Sequence, residues 1–275
     1  MTVSMKIRKY IFTVVVILLL SNIPLFAQDG IMVGPSRIYY KVGVGGTGTQ
    51  KVTVTNPSDK AMDVGIAIND WAYNANGDNL SFNPGTQPTT CADWIQILPG
   101  AFFTLQAKEK KEVSIMLNVP KNVNNDIPVH TAMLYFTQLT PVDSKTPSGT
   151  MMKVSMRIGI KLYHSFSQQE ERDIDITDFK DVADSTKASA GRLELAFQNK
   201  SKVWVEGKVN WELLNTQTGE KQKLEDLNFY SLPGDNRILK QPLPAKLAKG
   251  KYMATAIVNY GNKDELKIAE LEFVR

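Results

Sequence analysis

Few side chains in this 275-residue chain could carry covalent chemistry. There is one thiol, Cys91, and there are two imidazoles, His130 and His164. A nucleophilic cysteine needs a positioned base, and no local motif joins Cys91 to either histidine. A buried or half-buried free thiol is the plainer reading. Asp173 and Asp175 share a strand face by period two, but no base, metal set or pocket motif surrounds them, so they read as solvated charge. No Gly-rich phosphate loop precedes a helix. The expectation is a protein that is not an enzyme and holds no cofactor or metal.

The chemistry that remains is backbone and surface chemistry. From Met152 to Tyr163 apolar residues fall on every second position: Met152, Val154, Met156, Ile158, Ile160 and Leu162. Lys153, Ser155, Arg157, Gly159, Lys161 and Tyr163 stand between them. This is the alternation of a β-strand with one buried face. At about 3.3 Å per residue the strand would run roughly 40 Å, about twice a typical strand. Part of it is therefore expected to serve something other than its own fold.

The elements around this strand follow from composition and punctuation. Met1–Tyr10 carries Lys6, Arg8 and Lys9, an apolar run follows over Ile11–Leu20, and the segment ends at Phe26-Ala27-Gln28. This reads as a secretory signal peptide over residues 1–27, too short an apolar run to favour a membrane span. Its removal takes away three basic residues and no acidic ones. Lys plus Arg falls from 32 to 29 against 28 acidic residues, a formal charge near +1. A nucleic-acid binder concentrates basic residues, so that class is not expected. A lone cysteine excludes an internal disulfide.

After Gly30 short alternating segments are separated by turn residues. Candidate strands run over 36–42, 50–55, 62–71, 111–119 and 129–139, with loops over 74–88 and 140–150. Residues 164–172 read as a linker. Further strands are expected over 174–179, 192–198, 203–214, 221–230, 237–241, 251–260 and 266–274. Asn215–Gly219 reads as a hairpin turn. Strands at this spacing indicate sandwiches. The fold class is all-β, with two immunoglobulin-like β-sandwich domains in tandem after the signal peptide, over 28–166 and 167–275.

Four short motifs in the first domain then carry a resemblance. They are Ser36-Arg37-Ile38-Tyr39-Tyr40, Val52-Thr53-Val54-Thr55-Asn56-Pro57, Asp70-Trp71, and Ile160-Lys161-Leu162-Tyr163-His164-Ser165. Together they resemble the PapD-like periplasmic pilus and fimbrial chaperones over roughly residues 30–166. The second domain matches in architecture alone. His164-Ser165 stands where the family has Arg-Pro. The stretch Asp70–Gly77 is also similar to surface proteins of the WxL-interacting type.

The resemblance implies that Arg37 and Lys161 face a cleft between the domains and bind a subunit's C-terminal carboxylate. A fixed cationic pair suits that ligand, Arg in bidentate fashion. Without the resemblance both residues read as surface charges or members of ion pairs. It further implies that Met152, Val154 and Met156 are lent to a client as an added strand, while Ile158, Ile160 and Leu162 lie nearer the hinge. The alternative is that all six belong to the chain's own core. The expected partners are exported subunits with an incomplete immunoglobulin-like fold, an outer-membrane usher, and a self-dimer through the edge strand, with no nucleic acid. The expected location is the periplasm. The competing reading is a non-catalytic structural or adhesive surface protein.

Overall fold

The computed structural model describes residues 30–275 except 125, 147, 167–170, 184–190, 246 and 264. The expected signal peptide and the middle of the expected linker lie outside the described residues. Twelve strands occupy the first part of the chain: β1 (Met32–Gly34), β2 (Arg37–Lys41), β3 (Thr47–Thr55), β4 (Met62–Tyr73), β5 (Asn79–Phe82), β6 (Ile95–Leu98), β7 (Phe102–Leu105), β8 (Lys110–Asn118), β9 (Val129–Gln138), β10 (Val142–Lys145), β11 (Met151–Val154) and β12 (Arg157–Ser165). Eight follow: β13 (Ile174–Ala183), β14 (Gly191–Asn199), β15 (Val205–Asn215), β16 (Lys221–Lys223), β17 (Leu227–Ser231), β18 (Asn236–Pro242), β19 (Lys251–Asn259) and β20 (Lys267–Val274).

In the first sandwich, sheet β1-β3-β8-β6 packs against sheet β2-β12-β9-β4-β5, with β7 also paired to β4. In the second, β13-β14-β18 packs against β16-β15-β19-β20, with β17 paired to β15. Alternation explains the packing. Val113, Ile115 and Leu117 of β8 are fully buried between more exposed neighbours. Tyr252, Ala254, Ala256 and Val258 do the same for β19. Each large apolar side chain so buried contributes about 1.5–3 kcal/mol. Asn56 ends β3 as expected: its Nδ2 donates to the Lys60 and Gln106 carbonyls at 2.8 Å, and its Oδ1 accepts from Ser58 N at 2.9 Å.

Strand β9 breaks the pattern, with both faces buried over most of its length. Its inner face, with Ala132, Leu134 and Phe136, joins the first core. Its outer face carries Val129, Met133 and Tyr135, which pack with Trp71 and Tyr163 and with Val203, Trp204 and Leu232 of the second sandwich. The outer face of this sheet is thus an aromatic seam between the two sandwiches.

The long strand expected over Met152–Tyr163 is two strands. β12 pairs with β9, whereas β11 pairs only with β10 in a separate ribbon. Between the pairs Thr137–Arg157 and Val142–Val154, one chain has residues 138–141 and the other only Ser155 and Met156. Unequal lengths of this kind form a bulge that bends both strands. Pro141 supplies no N–H to continue the ladder. Met156 turns inward and packs on the first core, against Gly30, where a Cβ would overlap its sulfur. Two further departures are β5, inside the expected loop 74–88, and β10, inside the expected loop 140–150. The expected strand over 221–230 divides into β16 and β17.

Candidate functional site

The first strand changes sheets. β1 pairs with β3 in one sheet, the chain passes through Pro35 and Ser36, and β2 then joins β12 in the other. β2 and β12 run parallel, with Arg37 opposite Lys161 and Tyr39 opposite Tyr163. Period two puts these four side chains on one face, the seam that meets the second sandwich. The register thus brings Arg37 and Lys161 together.

Lys161 is 9% exposed. Its Nζ donates to Tyr73 Oη at 2.9 Å and lies 4.6 Å from the Trp71 ring centroid and 4.3 Å from that of Tyr73. Among the described residues it makes no ion pair. Burial, with the charges of Arg37 and Arg237 adding to it, pushes its ammonium down to about 8. The guanidinium of Arg37 lies 3.9 Å over the Tyr230 ring, and its Nε is buried with no hydrogen bond to a described residue. Aromatic faces hold these cations in place of carboxylates.

The second sandwich contributes a third cation, which the sequence reading did not single out. Arg237 is 4% exposed. Its Nη1 donates to the Tyr230 carbonyl and its Nε to the Ala75 carbonyl at 3.4 Å. Its guanidinium carbon stands 5.1 Å from the Tyr73 ring centroid. Burial is the main influence lowering its affinity for a proton. Tyr73 therefore lies between Lys161 and Arg237, and Tyr230 between Arg37 and Arg237.

Aromatic stacking fixes the frame. Tyr39 stacks on Tyr163 at 5.3 Å and on Trp204 at 5.1 Å, and Tyr39 Oη donates to the Glu206 carboxylate. Ile238 N donates to the Ala75 carbonyl at 2.8 Å, a second tie between the sandwiches. Trp204, Tyr230 and Glu206 also escaped the sequence reading. Their signal was slight: an aromatic beside valines at Val203-Trp204-Val205, and Tyr230 at a strand end.

The other sequence candidates lie apart from this seam. Met152 is exposed and Val154 half-buried on the β10–β11 ribbon, while Met156 sits half-buried in the bend. Val142 pairs with Val154 and Ser144 with Met152, so Met152 and Val154 share a ribbon face that Met156 does not continue. On one side β12 pairs with β9 throughout; on the other its pairing with β2 begins only at Lys161. No described strand pairs with Arg157–Ile160 on that side. Cys91 is fully buried, and burial pushes its thiol up. His130 and His164 are cross-strand partners in the interior, 5.6 Å apart between ring centroids.

No protein-family model matches the chain, and no curated protein matches it. Solved structures do. A chain from a chaperone–tip adhesin complex of CFA/I fimbriae biogenesis aligns over 90% of this chain and 98% of its own, at 12% identity and a TM-score of 0.48. The chain is similar to fimbrial chaperones of known structure. One is from a complex described as the Salmonella enterica SafA pilin with the SafB chaperone, at 12% identity and a TM-score of 0.47, covering 89% of this chain and 98% of that one. Another is the E. coli chaperone DraB, at 16% identity and a TM-score of 0.45, covering 88% and 99%.

Proposed function

We propose that this protein is a non-catalytic periplasmic chaperone that binds and caps an exported subunit with an incomplete immunoglobulin-like fold. Arg37 and Lys161 anchor the subunit's C-terminal carboxylate. Met152 and Val154 supply side chains to its open groove, with backbone pairing along the free side of Arg157–Ile160, whereas Met156, turned onto the chain's own core, drops out of the lent set. Its two domains divide between residues 166 and 167, and the exported form begins after residue 27. An outer-membrane usher receives the complex. In the absence of a client the free edge is capped by a second copy.

One observation carries the reading: a buried lysine with no carboxylate partner among the described residues, beside an arginine in ladder register, at a seam between two sandwiches. A cation held this way is costly unless an anion arrives. A terminal carboxylate is such an anion, and Arg and Lys together give it charge-assisted hydrogen bonds. The ribbon that presents Met152 lets backbone and side chains bind together.

Titration of the protein with peptides copying the C-terminal strands of co-exported proteins tests this. Arg37→Ala or Lys161→Ala should each weaken binding by about 10- to 100-fold, as loss of a charge-assisted hydrogen bond of about 1.5–3 kcal/mol requires. Unchanged binding in both variants would leave the structural or adhesive reading in place of the chaperone one.

A further inference from the structure

Beside the cationic pair is a pocket of about 300 Å³ whose walls include Tyr73, Asn76, Gly77, Tyr230, Arg237 and Lys240. Ligand pockets run from roughly 300 to 1,000 Å³, so this one suits a side chain rather than a large ligand. It shares the walls Tyr73 and Tyr230 with the seats of Lys161 and Arg37.

Arg237 lines this pocket. Nε and Nη1 are used by backbone carbonyls of the two sandwiches. Nη2 donates to no described residue and lies against Gly77, where a Cβ would overlap it. Gly77 has φ +93°, in the left-handed region that favours glycine. The turn before β5 thus has the residue that lets the guanidinium approach. The acids nearest in effect are Asp235 and Asp78. Asp235 Oδ2 accepts from Leu232 N at 2.7 Å and Asp78 Oδ2 from Asn74 Nδ2 at 2.9 Å. Neither forms an ion pair with Arg237. A buried arginine lining a pocket, whose outer nitrogen donates to no described residue, has the chemistry of an unfilled carboxylate receptor.

We propose that this pocket is a second anion subsite, taking an Asp or Glu side chain close to the C terminus of the client strand. The proposal rests on the terminal-carboxylate reading for its position, and adds a specificity to it. The client carries two negative groups, the terminal carboxylate at Arg37 and Lys161 and an acidic side chain at Arg237. Because Arg237 belongs to the second sandwich and Lys161 to the first, such a client contacts both.

Three dipeptide probes test this on the full-length protein: N-acetyl-Val-Glu, N-acetyl-Val-Gln and N-acetyl-Val-Glu amide. Binding is followed by NMR of arginine Nε–Hε signals, which separates Arg37 from Arg237. N-acetyl-Val-Glu should bind at least about tenfold more tightly than N-acetyl-Val-Gln, the scale of one charge-assisted contact, and should shift the Arg237 signal. In Arg237→Gln the two acids should bind equally. Equal affinities for the Glu and Gln acids in the unaltered protein would overturn the subsite while leaving the terminal-carboxylate site standing. The amide separates the readings in the other direction. If it binds as well as the Glu acid and shifts Arg237, the acidic subsite stands and the terminal-carboxylate site fails. Should Arg237→Gln not fold, the three-probe comparison on the unaltered protein still decides.

Discussion

Lys161 faces Arg37 directly across the parallel ladder of β2 and β12, and neither meets a carboxylate among the described residues. Two like charges share one sheet face, and Tyr73 accepts the only hydrogen bond that Lys161 Nζ makes to a described residue. Burial and the two arginines hold Lys161 down at about 8. An arriving carboxylate favours the charged ammonium and raises that value. Client-peptide affinity should therefore be level near pH 7, about halved at pH 8 and down about tenfold by pH 9, as free Lys161 loses its proton. Calorimetry in buffers of different ionisation enthalpy should show proton uptake on binding near pH 8. A flat affinity from pH 7 to 9 would remove Lys161 from the site.

The same residue costs stability. Its proton affinity is lower folded than unfolded, so below pH 8 the unfolded chain holds the charge more cheaply. Lys161→Met keeps a long side chain against Trp71 and discards the charge. It should stabilise the protein by about 1–2 kcal/mol at pH 7, after the loss of the Tyr73 hydrogen bond, while weakening client binding. Denaturant titration checks the sign, and a destabilised variant would refute the account of an uncompensated buried cation.

Trp204, from the second sandwich, stacks on Tyr39 and packs at a tilt against Tyr163. Trp204→Ala should cost about 3–5 kcal/mol, mostly at the seam. Calorimetry should then resolve two unfolding transitions where the unaltered protein gives one. Glu206→Gln keeps an acceptor for Tyr39 and should change stability by less than about 1 kcal/mol.

His130 and His164 give a separate pH dependence. Burial first, and His164 second, push His130 down to about 4, whereas an unfolded histidine titrates near 6.5. Between those values the unfolded chain binds the extra proton. The contribution is complete above pH 6.5 and is lost progressively as pH falls to 4, by about 3 kcal/mol. His130→Phe should flatten the stability profile over that window. A variant with an unchanged slope would assign the acid sensitivity elsewhere.

Much of the fold is written locally. Alternation in Gln50–Thr55, Lys111–Val119 and Lys251–Tyr260 located β3, β8 and β19 because each has one face on a core and one in solvent. Asn56 announced its turn, since its short amide satisfies backbone groups nearby. The bend at Ser155–Met156 was not legible. Its cause is a mismatch in length with residues 138–141, and a strand's own periodicity carries no record of its partner's length. β10 was hidden for a related reason: Pro141 and the polar residues after it read as loop until β11 supplied a partner.

The site divides in the same way. Alternation and turn residues made the all-β class legible, and the resemblance to pilus chaperones named Arg37 and Lys161 as candidate anion ligands. That they face each other was settled by the fold, because a parallel register between segments more than a hundred residues apart is set by packing of both faces. The fold also brought Arg237, Tyr230 and Trp204 to them. Arg237 and Tyr230 lie on strands of another sandwich and Trp204 just before one, and their meeting with β2 and β12 depends on burial of the outer, aromatic face of β9, β12 and β4. A side chain that works across such a seam leaves almost no local pattern, since neither its neighbours in sequence nor its own strand's alternation responds to what lies opposite.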